Sequence, residues 1–495
     1  MMGILFLGEK LENPYSVANM KKAYQNLLAK KGNSARTSST DGNAITTTHY
    51  YVRFLPKDSV EYDRLKTDTS LVLYPIPLDY QIISTGSDTS AKPVWQYTAV
   101  KKGYEFDSTI AHEVLEDLYI PEQSTNTNLS TSATELKSPY SNKFVVDLVN
   151  EAMKITKNFQ DTIKLTGGST QVSYSPSGRI RVFDTRLQRP IPLVGVQIRG
   201  RRWFNFKRTY TDDNGNYSLG HFGGRTNLSI FYETSTFDVR TGTIGQAWHD
   251  GPHTNDPWSY DIPDGVQRFY AHVFRGARRY HWGDNGGLRR PSTPYKLKYG
   301  AYDKVGSDQG LNIIAHLGFV PDIMVWRYKS PDVEYDSDEI FSTAVHETAH
   351  TAHVNAMNGG WVQYVQVKLH LIESWAVAVE WMITQREYRE RGIADYSGPD
   401  FLRFEPVSFP IKGSYQDWPI SSSRSYTPVY IDLIDNYNQG LNGRPIIDNV
   451  SGYTLPQIER LLKNIYGLSS LSEQLKANKP IGVTDAQIDQ LLSQY

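Results

Sequence analysis

The chain contains no cysteine. That absence excludes disulfide bonds, thiolate metal ligands, a cysteine nucleophile and a lipidated cysteine. An excess of charge of one sign is also missing, because the formal net charge is -1 over 495 residues. A near-neutral chain without a basic tail gives no electrostatic reason to bind nucleic acid or an anionic membrane. We therefore expect no nucleic-acid partner.

Long apolar runs are absent as well. The longest run near the start covers residues 3–8, whereas a membrane-spanning helix needs about 20 apolar residues. We therefore predict no transmembrane segment. The same run lacks the charged flank and the cleavage site of an intact signal peptide. The 33 tyrosines and 10 tryptophans, among many Ser, Thr and Asn residues, favour an extracytoplasmic protein, secreted or at the cell surface, whose targeting segment is not visible in this chain.

The composition, with 39% hydrophobic and 21% charged residues, is typical of a folded protein. A chain of this length predicts about two to four domains. We expect an α+β multidomain fold in three regions. These are an N-terminal α/β region over residues 1–175, a small β-sandwich over 176–235 and a mainly helical C-terminal domain over 236–495. The N-terminal region contains a predicted helix over residues 9–31 and a predicted strand over His49–Leu55.

The middle region consists of short predicted strands separated by turn signals. Arg179–Phe183, Val194–Arg199 and Asn227–Tyr232 are strand-like, and Asn214-Gly215 supplies a tight turn between two further strands. The region resembles the carboxypeptidase regulatory-like domain, a transthyretin-like sandwich, in its "PLVGVQI" strand and its "TDDNGNY" turn. That module is usually an accessory fold in its family, so the resemblance implies no catalytic residue here.

The segment His346-Glu347-Thr348-Ala349-His350 lies within a predicted helix from Ser337 to about Asn355. Two histidines four residues apart project from adjacent turns of a helix, so both imidazoles can point at one ion. Neutral imidazole is a good zinc ligand. We therefore predict His346 and His350 as metal ligands. The apolar stripe of this helix is predicted to comprise Ile340, Phe341, Ala344, Val345, Ala349 and Ala352.

Glu347 is the candidate general base. It lies about 100° round the helix from His346. From there it can reach a metal-bound water without itself binding the metal.

A catalytic zinc needs a third protein ligand. The metzincin pattern would supply a histidine after a glycine at a fixed spacing, and both are missing after His350. His353 lies about 10 Å from His346 along the helix axis, so one ion cannot easily bind both. We predict His353 at the site rim or on the surface, with support of a ligand as the alternative.

The gluzincin pattern instead takes its third ligand from a glutamate on a following helix. Resemblance to that pattern implies Glu373, which comes 23 residues after His350 and follows a predicted helix break at Asn358-Gly-Gly360. Glu380, two turns further along the same helix, is the alternative. The segment Glu373-Ser-Trp-Ala376 resembles the "E-x-x-A" ligand segment of gluzincin metallopeptidases, although the longer gluzincin segment "NExxSD" is not present.

This resemblance implies a zincin-like C-terminal domain with Zn²⁺ as cofactor and a peptide or protein as substrate. An alternative is a zincin-fold binding or scaffold protein of the cell surface that recognises a protein or glycan without catalysis. We expect the strand from Asp322 to Trp326 to offer an edge to an extended peptide. The candidates for oxyanion stabilisation are His370, Tyr388, Tyr426 and Tyr430.

Two further clusters could carry chemistry. The segment Trp248–His253 could hold a second metal ion, but its glycine and proline favour a turn. The basic run Arg199–Arg208 could contact nucleic acid, but a solvated hairpin face or a protein-contact surface suits a near-neutral chain better.

Overall fold

The computed structural model describes residues 6–31, 45–68, 70–84, 95–121, 142–159, 174–306, 309–313, 321–396, 426–438, 440 and 446–495. Its helices are α1 (Val17–Lys31), α2 (Ser59–Thr67), α3 (Asn142–Ile155), α4 (Gly265–Trp282), α5 (Ser337–Ala356), α6 (Trp361–Tyr364), α7 (Leu369–Glu390), α8 (Val429–Asp432), α9 (Leu455–Leu461), α10 (Leu468–Ala477) and α11 (Asp485–Leu492).

The strands complete a mixed α/β structure with several sheets, which is compatible with the predicted α+β class. They are β1 (Phe6–Lys10), β2 (His49–Leu55), β3 (Tyr80–Ser84), β4 (Gln96–Lys101), β5 (Ala111–Leu118), β6 (Ser177–Asp184), β7 (Arg189–Pro192), β8 (Gln197–Arg202), β9 (Asn205–Tyr210), β10 (Asn216–Ser218), β11 (Thr226–Phe231), β12 (Phe237–Thr241), β13 (Gly245–Gln246), β14 (Trp248–Thr254), β15 (Tyr260–Ile262), β16 (Leu297–Val305), β17 (Gly310–Asn312), β18 (Ile323–Ser330) and β19 (Val333–Glu334).

The chain divides into two compact units that alternate along the sequence. The first comprises Met1–Ile180, Gln197–Phe231 and Trp248–Tyr260, and the second comprises Arg181–Val196, Tyr232–Ala247 and Asp261–Tyr495. The predicted boundaries near residues 175 and 235 do not coincide with these units. Sheets join strands that are distant in sequence, so a boundary read along the chain need not separate compact bodies. The three-domain layout therefore stays a prediction.

In the first unit, β14, β11, β8 and β9 form an antiparallel sheet in that order. The tight turn predicted from the "TDDNGNY" segment is confirmed. The strand predicted over Val194–Arg199 is confirmed only from Gln197, where β8 begins, because Val194 and Gly195 form a turn. Asp212 Oδ1 accepts hydrogen bonds from the N–H groups of Asn214 and Asn216 at 2.9 and 2.8 Å. Gly215 between them has a φ of 79°, which a residue without a Cβ adopts freely.

The basic run Arg199–Arg208 is partly buried in the first unit. Arg201 and Arg202 are each only 4% exposed. Arg201 donates a hydrogen bond to the carbonyl of Leu78 at 3.2 Å, and the guanidinium of Arg199 lies 3.6 Å from the ring centroid of Phe231. The prediction of a solvated or partner-contacting face is therefore wrong for Arg201 and Arg202, which are buried, whereas Arg208 at the end of the run is exposed as predicted.

The segment Trp248–His253 is strand β14, paired with β11, and not the predicted turn. Its His249 ring stacks on Tyr260 with centroids 4.8 Å apart. Within the described ranges, no cluster of metal-ligand side chains includes a histidine of this strand.

The N-terminal part of the first unit carries a second antiparallel sheet in the order β4-β2-β5, so the predicted strand over His49–Leu55 is confirmed as the central strand. The predicted helix over residues 9–31 begins only at Val17, because Lys10 belongs to β1 and pairs with Tyr80 of β3. Helices α1 and α3 pack together.

The second unit is built on the sheet β13-β12-β16-β18-β17. Strands β12, β16 and β18 are parallel, whereas β17 runs antiparallel to β18. Helix α5 contacts α4, α7, β17 and β18, so the predicted metal-binding segment lies at the centre of this unit. No helix among the described residues is long and apolar enough to cross a membrane.

The strand from Asp322 to Trp326 is not an edge. Ile323, Met324 and Val325 of β18 pair with β16 on one side and with β17 on the other. That expectation is corrected: among the described strands, β17 is the outer one on this side of the sheet. The sequence pattern does not reveal this outer strand, because β17 has only three residues and shows no strand periodicity.

Candidate metal centre

Helix α5 carries the predicted ligands His346 and His350 and is buried almost all round, not along one stripe. The six residues predicted for that stripe are buried, but so are His346, Glu347 and His350, which are at most 8% exposed. The crossing with α4 is close at Gly276, where a Cβ would overlap the carbonyl oxygen of Phe341. A glycine at this point therefore lets α4 lie against the helix that presents the histidines.

Three predicted ligands meet at one point. Nε2 of His346 lies 3.3 Å from Oε2 of Glu373, and Nε2 of His350 lies 3.5 Å from the same oxygen. All three ligand atoms lie within 4.8 Å of one another. Ligands held at about 2.1 Å from a tetrahedral ion are about 3.4 Å apart. The spacing and the donor set therefore fit a metal ion.

The other nitrogen of each histidine ring is held by a side chain outside this cluster. Nδ1 of His346 lies 3.0 Å from Oε2 of Glu380, and Nδ1 of His350 lies 3.1 Å from the hydroxyl of Tyr364. Such contacts fix the orientation of the ring and leave Nε2 for a metal. Glu380, the alternative third ligand, thus contacts the far side of the His346 ring. Tyr364 has no signature in the sequence, because its position depends on how the chain turns after Gly360.

Charge is concentrated in this buried cluster. Burial alone would lower the pKa of His346, but hydrogen bonds to Glu373 and Glu380 raise it well above its usual value. Burial likewise opposes ionisation of Glu373, yet the two histidines hold its pKa far below the usual range. The carboxylate oxygen of Glu373 therefore lies between the two imidazoles, beside the point that a cation would occupy.

Glu347 stands beside the cluster without joining it. Burial raises the pKa of its carboxyl, the two histidines oppose that rise, and Glu373 and Glu380 add to it. Gly310 of β17 covers this carboxylate so closely that a Cβ there would overlap Oε1. Asn312, two residues on, donates hydrogen bonds to the carbonyl of Glu347 and to Oγ1 of Thr351.

His353 is neither at the rim nor on the surface, which corrects that prediction. It is 1% exposed, and burial lowers its pKa to about 3. Its ring packs edge-on against Tyr364 at 5.0 Å, while neither ring nitrogen has a hydrogen-bond partner among the described residues. His353 thus supports the tyrosine that orients His350, through packing alone.

The four candidates for oxyanion stabilisation differ in their position and burial. The ring of Tyr426 lies 6.0 Å from that of His346 and is 40% exposed. His370 lies one turn before Glu373 on α7 and is partly buried. Tyr388 is buried and donates to Asp184 at 2.9 Å, and Tyr430 is buried against Trp375. The last two are packing residues.

Comparison with known proteins adds little to this geometry. No protein-family model matches the chain, and no curated protein matches it either. One solved structure with local similarity is a 9R-lipoxygenase from Cyanothece PCC8801, at 13% identity over 28% of each chain and a TM-score of 0.12. A TM-score this low does not indicate a shared fold. The class that the chain itself defines is a protein with a His-His-Glu cluster able to hold a metal ion.

Proposed function

We propose that the chain is a zinc-dependent peptidase. The observation that carries the proposal is the convergence of two imidazole nitrogens and one carboxylate oxygen beside a buried glutamate that takes no part in the cluster. Two histidines and a glutamate are a donor set used by catalytic zinc. Bound zinc would lower the pKa of a water molecule towards about 7 and polarise a substrate carbonyl.

The residues of the chain have separable roles in this reaction. His346, His350 and Glu373 would hold the ion. Glu347 accepts a proton from the attacking water and returns it to the leaving amine. Its raised pKa suits this role, because a base that both takes and gives a proton works best when its pKa approaches the working pH.

An extended peptide is the substrate that the surroundings support best. Main-chain hydrogen bonds join Trp326 to Gln309 and Ile313 to Asp322, so Leu311 faces β18 in the antiparallel pattern and Gly310 and Asn312 turn their main-chain groups away from it. Those groups lie at the outer edge of the described sheet, next to Glu347. An edge of this kind pairs with an extended peptide by strand addition.

One experiment tests the proposal. Bound metal is measured by mass spectrometry, and casein cleavage is assayed, for the parent chain, for Glu347→Gln and for Glu390→Gln. Glu390 is a matched control because it lies on α7 but pairs with Arg279 at the surface. We expect about one zinc per chain in all three and cleavage in all but Glu347→Gln.

Two results would count against the proposal. A parent chain that takes up no zinc overturns the metal site. Zinc in every variant without cleavage in any of them favours the binding or scaffold protein of the cell surface instead.

A further inference from the structure

The first unit contains a cavity of about 610 Å³ that is remote in sequence from the metal-binding segment. Its walls come from the loop after β1, from the segment before β3 and from one face of the sheet β4-β2-β5. Strand register explains that face, because Tyr51 pairs with Glu116 and Arg53 pairs with Tyr97 across neighbouring strands. A volume of this size is typical of small-ligand sites.

The polar part of the lining is rich in carboxylates whose hydrogen-bond donors are largely neutral. Asp79, with a side chain only 8% exposed, accepts a hydrogen bond from the hydroxyl of Tyr51 at 2.8 Å. Glu116 accepts one from the amide of Asn13 at 2.7 Å. Glu12 accepts one from another amide, that of Asn19. These neutral donors fill hydrogen-bonding positions of the carboxylate oxygens but do not neutralise the negative charge of the carboxylates.

The cations of the lining do not balance these carboxylates. The ammonium of Lys10 lies 3.5 Å from Asp79, but the Lys10 side chain is 66% exposed. Arg53 forms an ion pair with Glu113 at 2.6 Å, and its guanidinium lies over the ring of Trp95. Burial, together with the charges of Asp79 and Glu12, raises the pKa of Glu116. The lining therefore has three carboxylates against two cationic side chains, and one of these cations, Arg53, also pairs with Glu113.

The remaining lining is aromatic and apolar. Tyr51, Tyr80 and Tyr97 contribute rings, whose faces attract cations, and Leu11 and Leu115 contribute apolar surface. Such walls suit an alkyl stem that ends in a cationic group. The carboxylates do not converge as metal ligands do, since among the described residues the one such cluster is His346, His350 and Glu373. A small metal ion is therefore not the expected occupant.

We propose that this cavity binds an ammonium or guanidinium group on an alkyl stem, held between the carboxylates of Asp79 and Glu116 and the rings of Tyr80 and Tyr97. A lysine or arginine side chain of a polypeptide and a small polyamine share this chemistry. The proposal is independent of the peptidase reaction, because none of its residues belongs to the metal centre.

Calorimetric titration of the full chain at low salt tests the charge requirement. The probes are acetyl-Ala-Arg-Ala-amide, the same peptide with uncharged citrulline in place of arginine, and spermidine. We expect the arginine peptide, spermidine or both to bind with 1:1 stoichiometry, and the citrulline peptide to bind at least about tenfold more weakly than the arginine peptide. Binding of the arginine peptide alone identifies a polypeptide source, and binding of spermidine alone identifies a free amine. Equal binding of arginine and citrulline peptides, or no binding of any probe, overturns the proposal.

Two variants locate the site. Glu116→Gln removes a carboxylate of the cavity lining. Asp117→Asn removes the carboxylate of the next residue, which does not line the cavity and accepts a hydrogen bond from Thr47. We expect affinity for the cation to fall about fivefold or more in Glu116→Gln and to stay unchanged in Asp117→Asn. An equal loss in both variants contradicts the assignment.

A covalent label avoids dependence on variant folding. An arginine peptide bearing a photoreactive benzophenone is irradiated with the unmodified chain, and the adducts are mapped by mass spectrometry. We expect adducts within residues 10–13, 77–80, 97 or 115–116 that excess arginine peptide suppresses. Adducts confined to other segments overturn the proposal.

Discussion

Oε2 of Glu380 lies 3.0 Å from Nδ1 of His346, on the side of the ring opposite to Glu373. A carboxylate in this position fixes the ring so that its Nε2 faces the candidate metal and makes the imidazole a stronger donor. Replacing such a residue typically lowers metal affinity about 10- to 100-fold. We therefore expect Glu380→Gln to weaken zinc binding by that factor while the chain remains folded.

Chelator competition measures this affinity, and circular dichroism reports the fold. Glu390→Gln on the same helix is the control, because its carboxylate is exposed and bonds Arg279. Unchanged zinc affinity in Glu380→Gln would contradict the orienting role.

Tyr364→Phe removes the hydroxyl that contacts Nδ1 of His350 and keeps the ring that packs on His353. A neutral hydrogen bond contributes less than one to a charged group, about 1 kcal/mol. We expect zinc affinity to fall about fivefold, which is less than for Glu380→Gln. Val362→Ala, in the same short helix and 67% exposed, should leave affinity unchanged. A larger effect of Tyr364→Phe than of Glu380→Gln would reverse this ranking.

Gly310→Ala tests the contact between β17 and the candidate base. The added methyl group would overlap the carboxylate of Glu347, so either the strand or the carboxylate must move. We expect kcat for casein cleavage to fall about 100-fold with zinc retained, since a displacement of about 1 Å can cost that much. Gly467→Ala is the control, because its nearest neighbour, Lys368 Cγ, would lie 3.8 Å from the new methyl group. Full activity in Gly310→Ala would mean that the contact between β17 and Glu347 has no role in the reaction.

Sequence and structure agree where the relevant geometry is local. The positions of His346, Glu347 and His350 on one helix follow from helical periodicity. The sequence also predicts a capping box at Thr454 with Gln457 and another at Thr484 with Gln487, and both are formed. The convergence of Glu373 on the two histidines needs only that a following helix packs against α5.

The features that sequence analysis missed are tertiary. The sequence pattern predicts one helix from Trp361 to about Arg389, but the structure has two, α6 and α7. The break between them follows Tyr364, whose hydroxyl contacts His350. The burial of His353 and the outer position of β17 likewise depend on what packs beside them. Periodicity along one element carries no information about its neighbours, so these contacts could not be predicted.

We expect Asp338 to make the folding stability of the chain depend on pH. It lies in the first turn of α5, and burial raises its pKa to about 7, although Arg186 and a hydrogen bond from Tyr396 oppose the rise. The folded chain therefore holds this proton between about pH 4 and pH 7, where the unfolded chain releases it. Folding stability contributed by this group is full at acidic pH, falls as pH rises through that window and is lost above it.

Asp338→Asn removes this titration while keeping a side chain that can accept from Tyr396. The free energy of unfolding of the parent should fall between about pH 5 and pH 8. We expect the fall to be smaller in Asp338→Asn by about 2–4 kcal/mol, because one pKa unit corresponds to about 1.4 kcal/mol. Calorimetric unfolding of both chains at the two pH values measures the difference. Asp489→Asn serves as the control, because this carboxylate is 58% exposed and pairs with Lys476 at the surface. An identical pH dependence in the parent and Asp338→Asn would mean that another buried group, not this carboxyl, sets the stability of α5.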